Sequence, residues 1–165
     1  MTSMSSIARI FLQVGLRRRV AIRNANTDII YYLKGRSRRA LTSLAVTRNA
    51  IAVVDDDPEV RGGLELMLSS YGYRTLTFAS AKEFLEAAAI AQPACLVIDI
   101  QLGESSGIEL GLRLSAMGFK FPTIFMTGSQ EELHRRRAME FGCVAFLNKP
   151  FLPDELIEAV GKAIG

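Results

Sequence analysis

Short, largely apolar runs recur along the second two-thirds of the chain, separated by stretches with helical spacing. Ala50–Val54, Cys95–Ile98, Thr123–Met126 and Val144–Leu147 are continuous enough to predict parallel strands buried on both faces. Arg74–Ala79 alternates instead, Leu76 and Phe78 apolar against Thr75 and Thr77, which predicts an edge strand with one wetter face. Val60, Leu64, Met67, Leu68 and Tyr71 form one helical stripe, and Leu156, Ile157, Val160 and Ile164 form another at the C-terminal end.

Helix starts are marked by capping chemistry. Asp57 before Pro58 reads as an N-cap with proline at the first helical position. Ser80–Glu83 and Ser129–Glu132 have capping-box spacing. Gly72 and Gly142 stand where a left-handed residue closes a helix. These signals give five strand–helix units over ~115 residues, an α/β domain whose parallel sheet carries helices on both faces. Right-handed crossovers make it a doubly wound open sheet.

Charge divides the chain sharply. Residues 1–49 hold ten Lys/Arg against the single acid Asp28 and carry +9, whereas residues 50–165 hold ten against sixteen and carry −6. We therefore place a boundary there: 1–48 as a basic, poorly ordered N-terminal extension, and 49–165 as the domain. The extension has basic clusters at Arg17–Arg19 and Arg36–Arg39 and only a short stripe, Ile7, Ile10, Phe11 and Val14. Our reading is that it is miscalled upstream sequence and that the natural start lies near residue 48. No recognition helix or aromatic platform accompanies the cations, so no direct DNA binding is expected.

Composition removes other classes. Hydrophobic residues at 49% and charged residues at 22% suit a globular protein rather than a disordered one. Cys95 and Cys143 lie far apart, which supports neither a disulfide framework nor a zinc site, and both read as small buried hydrophobes. No run approaches the ~18 apolar residues of a membrane span, so a cytoplasmic location is expected.

Polar residues end the buried runs. The first strand leads into Asp55–Asp56–Asp57, the third into Asp99, the fourth into Thr127, and the fifth through Asn148 to Lys149–Pro150. In an open parallel sheet ligands bind outside the carboxyl ends of the strands. Carboxylates, a hydroxyl and an ammonium thus gather at one crevice. Clustered oxygen ligands without His or Cys point to Mg2+. A carboxylate beside such a cation can attack phosphorus, with hydroxyl and ammonium holding the transferred oxygens. Asp57 alone reads as a helix cap. Arg135–Arg137 read as the solvated face of the fourth helix, and His134 as a surface residue.

Val53–Val54–Asp55–Asp56–Asp57, Leu96–Val97–Ile98–Asp99, Phe125–Met126–Thr127–Gly128 and Phe146–Leu147–Asn148–Lys149–Pro150–Phe151 closely resemble the receiver domains of bacterial two-component response regulators. The likeness runs from Ala50 to the C-terminal end. It implies a (βα)5 flavodoxin-like fold with strand order 2-1-3-4-5. It also implies Asp99 as phosphoacceptor, and Mg2+ held by Asp55, Asp56, Asp99 and the Gln101 backbone carbonyl. Thr127 and Lys149 would contact the phosphoryl group, Phe146 would be the rotating aromatic, and Pro150 would follow a cis peptide. Gly107 fits the pattern. Leu102–Gly103–Glu104 departs from the usual Leu-Pro and implies a looser loop.

The implied function is phosphorelay signalling, not enzymatic turnover. The phosphoryl donor would be a sensor histidine kinase or a histidine phosphotransfer protein. Signalling would pass to a downstream protein through the face of helix 4, strand 5 and helix 5, with no attached output domain expected. Homodimer formation stays open. The alternative is a phosphatase of the haloacid-dehalogenase type, which Asp55-x-Asp57, Thr127 and Lys149 loosely imitate. It wants a further acidic pair beyond the lysine and a cap insertion. Asp154–Glu155 read instead as a helix start.

Overall fold

The computed structural model describes residues 20–24, 27–31, 50–103, 105–129 and 132–165. Most of the segment expected to be poorly ordered lies outside the described residues. What is described of it is an antiparallel pair, β1 (Val20–Asn24) and β2 (Thr27–Tyr31), with Asn24 opposite Thr27.

From Ala50 the chain alternates as its periods predict. β3 (Ala50–Val54) leads to α1 (Pro58–Ser70), β4 (Arg74–Phe78) to α2 (Ala81–Ala91), and β5 (Cys95–Asp99) to a small hairpin, β6 (Gln101–Leu102) and β7 (Ser105–Ser106). Then follow α3 (Gly107–Ala116), β8 (Thr123–Thr127), α4 (Glu132–Phe141), β9 (Ala145–Asn148) and α5 (Pro153–Ile164). The five-stranded sheet is parallel throughout, in the order β4-β3-β5-β8-β9. Counted along the chain, that is 2-1-3-4-5, the expected doubly wound order.

Period-two alternation sends each strand's side chains into two cores. Ala52, Val54, Leu76, Phe78, Leu96, Ile98 and Phe125 pack with Phe84 of α2 and Leu110 and Leu114 of α3. Ile51, Val53, Val97, Ile124 and Met126 pack on the other face with Leu64 and Leu68 of α1 and Leu156 and Val160 of α5. Each fully buried Leu, Ile or Phe contributes about 1.5–3 kcal/mol, so this double layer fixes the register that carries the strand ends to one rim.

Burial at the two sheet edges differs from what the sequence predicts. β4 was expected to have a wetter face, and on that face Thr77 is half-buried, but Thr75 is buried along with Leu76 and Phe78, since α1 and α2 pack against this strand and β1 lies beside it. The last strand was expected to be buried on both faces, yet Ala145, Phe146 and Leu147 are half-buried and Val144 is exposed. Its neighbour α4 brings little apolar cover: of its described side chains only Ala138 is buried. The ends of two helical stripes also emerge. Tyr71 and Ile164 are exposed, Tyr71 donating its hydroxyl hydrogen to Asp154 Oδ1 at 3.2 Å.

The caps follow their residue types. The Asp57 carboxylate accepts from the N–H groups of Glu59 and Val60 at 2.8 and 3.4 Å. Ser80 Oγ accepts from Glu83 N–H, while the Glu83 carboxylate accepts from Ala79, one residue before the cap. The Ser129–Glu132 box is not tested, because the Glu132 side chain lies outside what the structure describes. Gly72 and Gly142 have φ of +83° and +85°. Cys95 is buried, which pushes its thiol up to about 12, and Cys143 is half-buried. His134 is half-buried rather than at the surface, whereas Arg135, Arg136 and Arg137 are exposed.

Candidate metal and phosphoryl site

The crevice lies above β3 and β5, where the strand order reverses. Asp55 ends β3 and is fully buried. Its Oδ1 accepts from the Asp57 N–H at 2.9 Å, and its Oδ2 accepts from Lys149 Nζ at 2.7 Å. Asp56 is exposed at the mouth. Asp99 ends β5 and is 7% exposed. Asp55, Asp56 and Asp99 each offer a carboxylate oxygen, and these three atoms lie within 4.8 Å of one another. Such an all-oxygen set, with negative charge in excess of its lysine, can hold a hard cation.

One atom makes the fit specific. Asp99 Oδ1 is buried with no hydrogen-bond partner among the described residues, while Oδ2 lies 3.3 Å from Lys149 Nζ. A buried unpaired carboxylate oxygen is costly, and a cation among the three acids would relieve it. Burial, foremost, raises the Asp99 carboxyl above its ordinary value, Asp55 adds to the rise, and Lys149 opposes it. For Lys149 burial pulls downward, but the hydrogen bond to Asp55 and the charges of Asp99 and Asp55 outweigh it, so the ammonium is held more firmly than usual.

The other predicted positions divide into those at the crevice and those behind it. Gln101 and Gly128 line the crevice with the acids and Lys149. The Lys149–Pro150 peptide is cis. Lys149 N–H donates to the Thr127 carbonyl at 2.7 Å, tying the end of β8 to the lysine loop. Thr127 is buried, and its Oγ1 accepts from Ser129 N–H at 3.0 Å. Phe146 stands away from the crevice in β9, opposite Phe125, with the Arg135 guanidinium 5.9 Å from its ring centroid.

Three features of the site go beyond what the sequence predicts. The loop after Asp99 is closed by pairing rather than loosened: Gln101 is opposite Ser106, Leu102 is opposite Ser105, and Gly103 turns with φ +57°. Gly107 is required sterically, since a Cβ there would collide with the Asp99 carbonyl oxygen and approach Ile98. Arg61, on the first turn of α1, donates from Nη1 to the Asp55 carbonyl at 2.7 Å. Glycines at 103 and 107 were visible signals; a long side chain folding back six residues was not.

Comparison with known proteins agrees with this geometry. Residues 51–161 match the response regulator receiver domain family. The chain is 36% identical over 118 residues to the transcriptional regulatory protein FixJ of Bradyrhizobium diazoefficiens, covering 72% of this chain and 58% of that protein. It is 35% identical over 116 residues to the transcriptional regulatory protein TdiR of Thauera aromatica, covering 70% and 51%. Among solved structures, FixJ-N aligns with a TM-score of 0.67 at 33% identity, over 70% of this chain and 93% of that one. A response regulator receiver protein from Pseudoalteromonas atlantica aligns with a TM-score of 0.65 at 31% identity, over 70% and 96%. The chain spans about half the length of the curated relatives it matches. Among the described residues no helix is long and apolar enough to cross a membrane. With its flavodoxin-like sheet and the acids at its switch point, the chain belongs to the response regulator receiver domains of two-component signalling.

Proposed function

We propose that Asp99 accepts a phosphoryl group from a sensor histidine kinase or a histidine phosphotransfer protein, and that residues 49–165 form the unit that does so. An Asp99 carboxylate oxygen attacks phosphorus, and an O–P bond forms as the P–N bond of the donor phosphohistidine breaks. The electron pair goes to the imidazole nitrogen of the donor. The observation that carries the assignment is the buried, unpartnered Asp99 Oδ1 between Lys149 and the two other acids.

Asp55, Asp56, Asp99 and the Gln101 backbone carbonyl are the groups that would hold Mg2+ at this site. Bound there, it would neutralise charge on the transferred oxygens. Lys149 supplies a compact positive charge from the other side. The Thr127 hydroxyl, which accepts from Ser129, keeps its own proton to donate to a phosphoryl oxygen. Phe146 lies on the α4–β9–α5 face through which a downstream protein would be contacted.

Intact-mass measurement after incubation with acetyl phosphate and Mg2+ tests the assignment. The wild-type protein should gain one phosphoryl group. Asp99→Asn should gain none at any Mg2+ concentration, because the amide has no anionic oxygen with which to attack. Asp56→Asn should lose labelling and recover part of it as Mg2+ is raised. A clear adduct on Asp99→Asn would mean that another carboxylate is the acceptor.

A further inference from the structure

We propose that Arg61 is a positioning residue for the acid pair: by holding the Asp55 carbonyl it fixes the peptide that carries Asp56 towards the cation. The inference rests on the assignment of Mg2+ to this crevice. Asp56 is exposed, and its carboxylate makes no hydrogen bond to a described residue; a Cβ on Gly103 would lie 3.6 Å from its Oδ2. Its placement therefore depends on the backbone on either side.

Both sides are pinned. The Asp55 N–H donates to the Phe78 carbonyl at 3.2 Å, and both of its carboxylate oxygens are taken by Asp57 N–H and Lys149. Asp57 caps α1 and accepts from Arg61 N–H at 3.1 Å. That leaves the Asp55 carbonyl. The ladders from β3 end at Val54, opposite Phe78 of β4 and Ile98 of β5, so neither neighbouring strand offers this carbonyl a ladder partner. Arg61 Nη1 fills that role at 2.7 Å. A peptide unit is planar, so fixing the Asp55 carbonyl fixes the Asp56 N–H and the direction in which Asp56 leaves the chain. Arg61 thus closes a loop around Asp56 without touching its carboxylate.

Charge and position make opposite demands here, and the two can be told apart by experiment. A guanidinium held at the Asp55 carbonyl repels a cation bound nearby. If Arg61 acted only through its charge, removing it would tighten Mg2+ binding. If it acts by position, removing it weakens binding.

The experiment is calorimetric titration of magnesium chloride into the full chain, as wild type, Arg61→Met, Arg61→Lys and Asp56→Asn, with folding checked by circular dichroism. Arg61→Met keeps the apolar stem and should raise the Kd for Mg2+ about 10-fold, the scale of a lost outer contact to a metal ligand. Arg61→Lys retains one donor and should recover part of that loss. In the metal-free protein, amide exchange at Asp56 and Asp57 should quicken in Arg61→Met. An unchanged or lower Kd in Arg61→Met, or unchanged exchange at these two amides, would overturn the proposal. If the wild-type protein bound no Mg2+, the metal assignment would fail and the positioning of Asp56 for a cation would fail with it. The exchange data would then report separately whether Arg61 holds the turn.

Discussion

The carbonyl oxygen of Asp99 occupies the space into which any side chain at Gly107 would project. Gly107 opens α3, and its N–H donates to the Ile100 carbonyl at 2.9 Å, so the helix starts against the strand end that bears the acid. Gly107→Ala must displace backbone, which does not yield as a side chain does. It should cost about 3 kcal/mol and lower the urea midpoint. Gly111→Ala is the comparison: the closest contacts of its Cβ would be side-chain atoms, the Phe141 ring at 3.1 Å and the Phe125 ring at 3.4 Å, and none is backbone. The gain in helix propensity, about 1 kcal/mol, should leave Gly111→Ala near neutral. Equal losses in the two variants would refute the steric account.

The crevice should destabilise the protein when no metal is bound. The Asp99 carboxyl is raised above its ordinary 3.8, chiefly by burial. A group raised in the folded state contributes stability below its unfolded value and loses it as pH rises through the folded value. At pH 7 in chelator, Asp99→Asn should therefore be more stable than wild type by about 1 kcal/mol. The gain should shrink as pH falls towards the ordinary carboxylate range, and shrink again on adding Mg2+. Lys149 is also raised, from 10.5, so the stability of its ion pairs is present at neutral pH and is lost only as pH rises through its folded value. Thermal unfolding against pH checks both signs. A wild-type midpoint above that of Asp99→Asn at pH 7 in chelator would refute the first.

Much of this site is legible in the chain because burying a charge at the end of an apolar run is costly unless an opposite charge or a cation meets it there. Asp55, Asp99 and Lys149 could be placed together before any distance was known, and Pro58 marked Asp57 as a cap rather than a fourth ligand. Edge burial was not legible. Thr75 and Ala145 differ in which helices pack beside them, and α4, whose only buried described side chain is Ala138, covers β9 poorly. Periodicity within a strand carries no information about that. The reach of Arg61 to the Asp55 carbonyl is likewise a property of a long, flexible side chain and leaves no spacing signature.

The residues before Ala50 should be dispensable for folding. The buried residues described in both core layers lie at or after Ala50 and, with the half-buried residues of β9 packed against them, draw on every helix and strand of the five-stranded sheet, while β1 lies against β4 and α2 from outside those layers. A chain beginning at Thr47 should unfold within about 10 °C of the full chain, roughly 2 kcal/mol at this size. A larger drop would show that β1 and β2 contribute to the domain.

Occupancy of the phosphoryl site should be felt in α4 and β9 before it reaches α1 or α2. Thr127 joins the two regions: its carbonyl holds Lys149, its Oγ1 accepts from Ser129 ahead of α4, and it lies opposite Asn148 in the sheet. An oxyanion that draws the Thr127 hydroxyl must alter the Ser129 contact, and α4 is the helix with the least buried side-chain cover to resist. Arg135 over the Phe146 ring links that helix to β9, worth about 0.5–1 kcal/mol at an exposed site. A phosphoryl mimic shifts populations only by its differential affinity for two states. Hydrogen exchange with beryllofluoride and Mg2+ should therefore change across residues 132–148 as well as at Asp99. Arg135→Gln should reduce the change in β9 while leaving that at Asp99 intact. Changes confined to residues 99–107 in the wild-type protein would rule out the coupling.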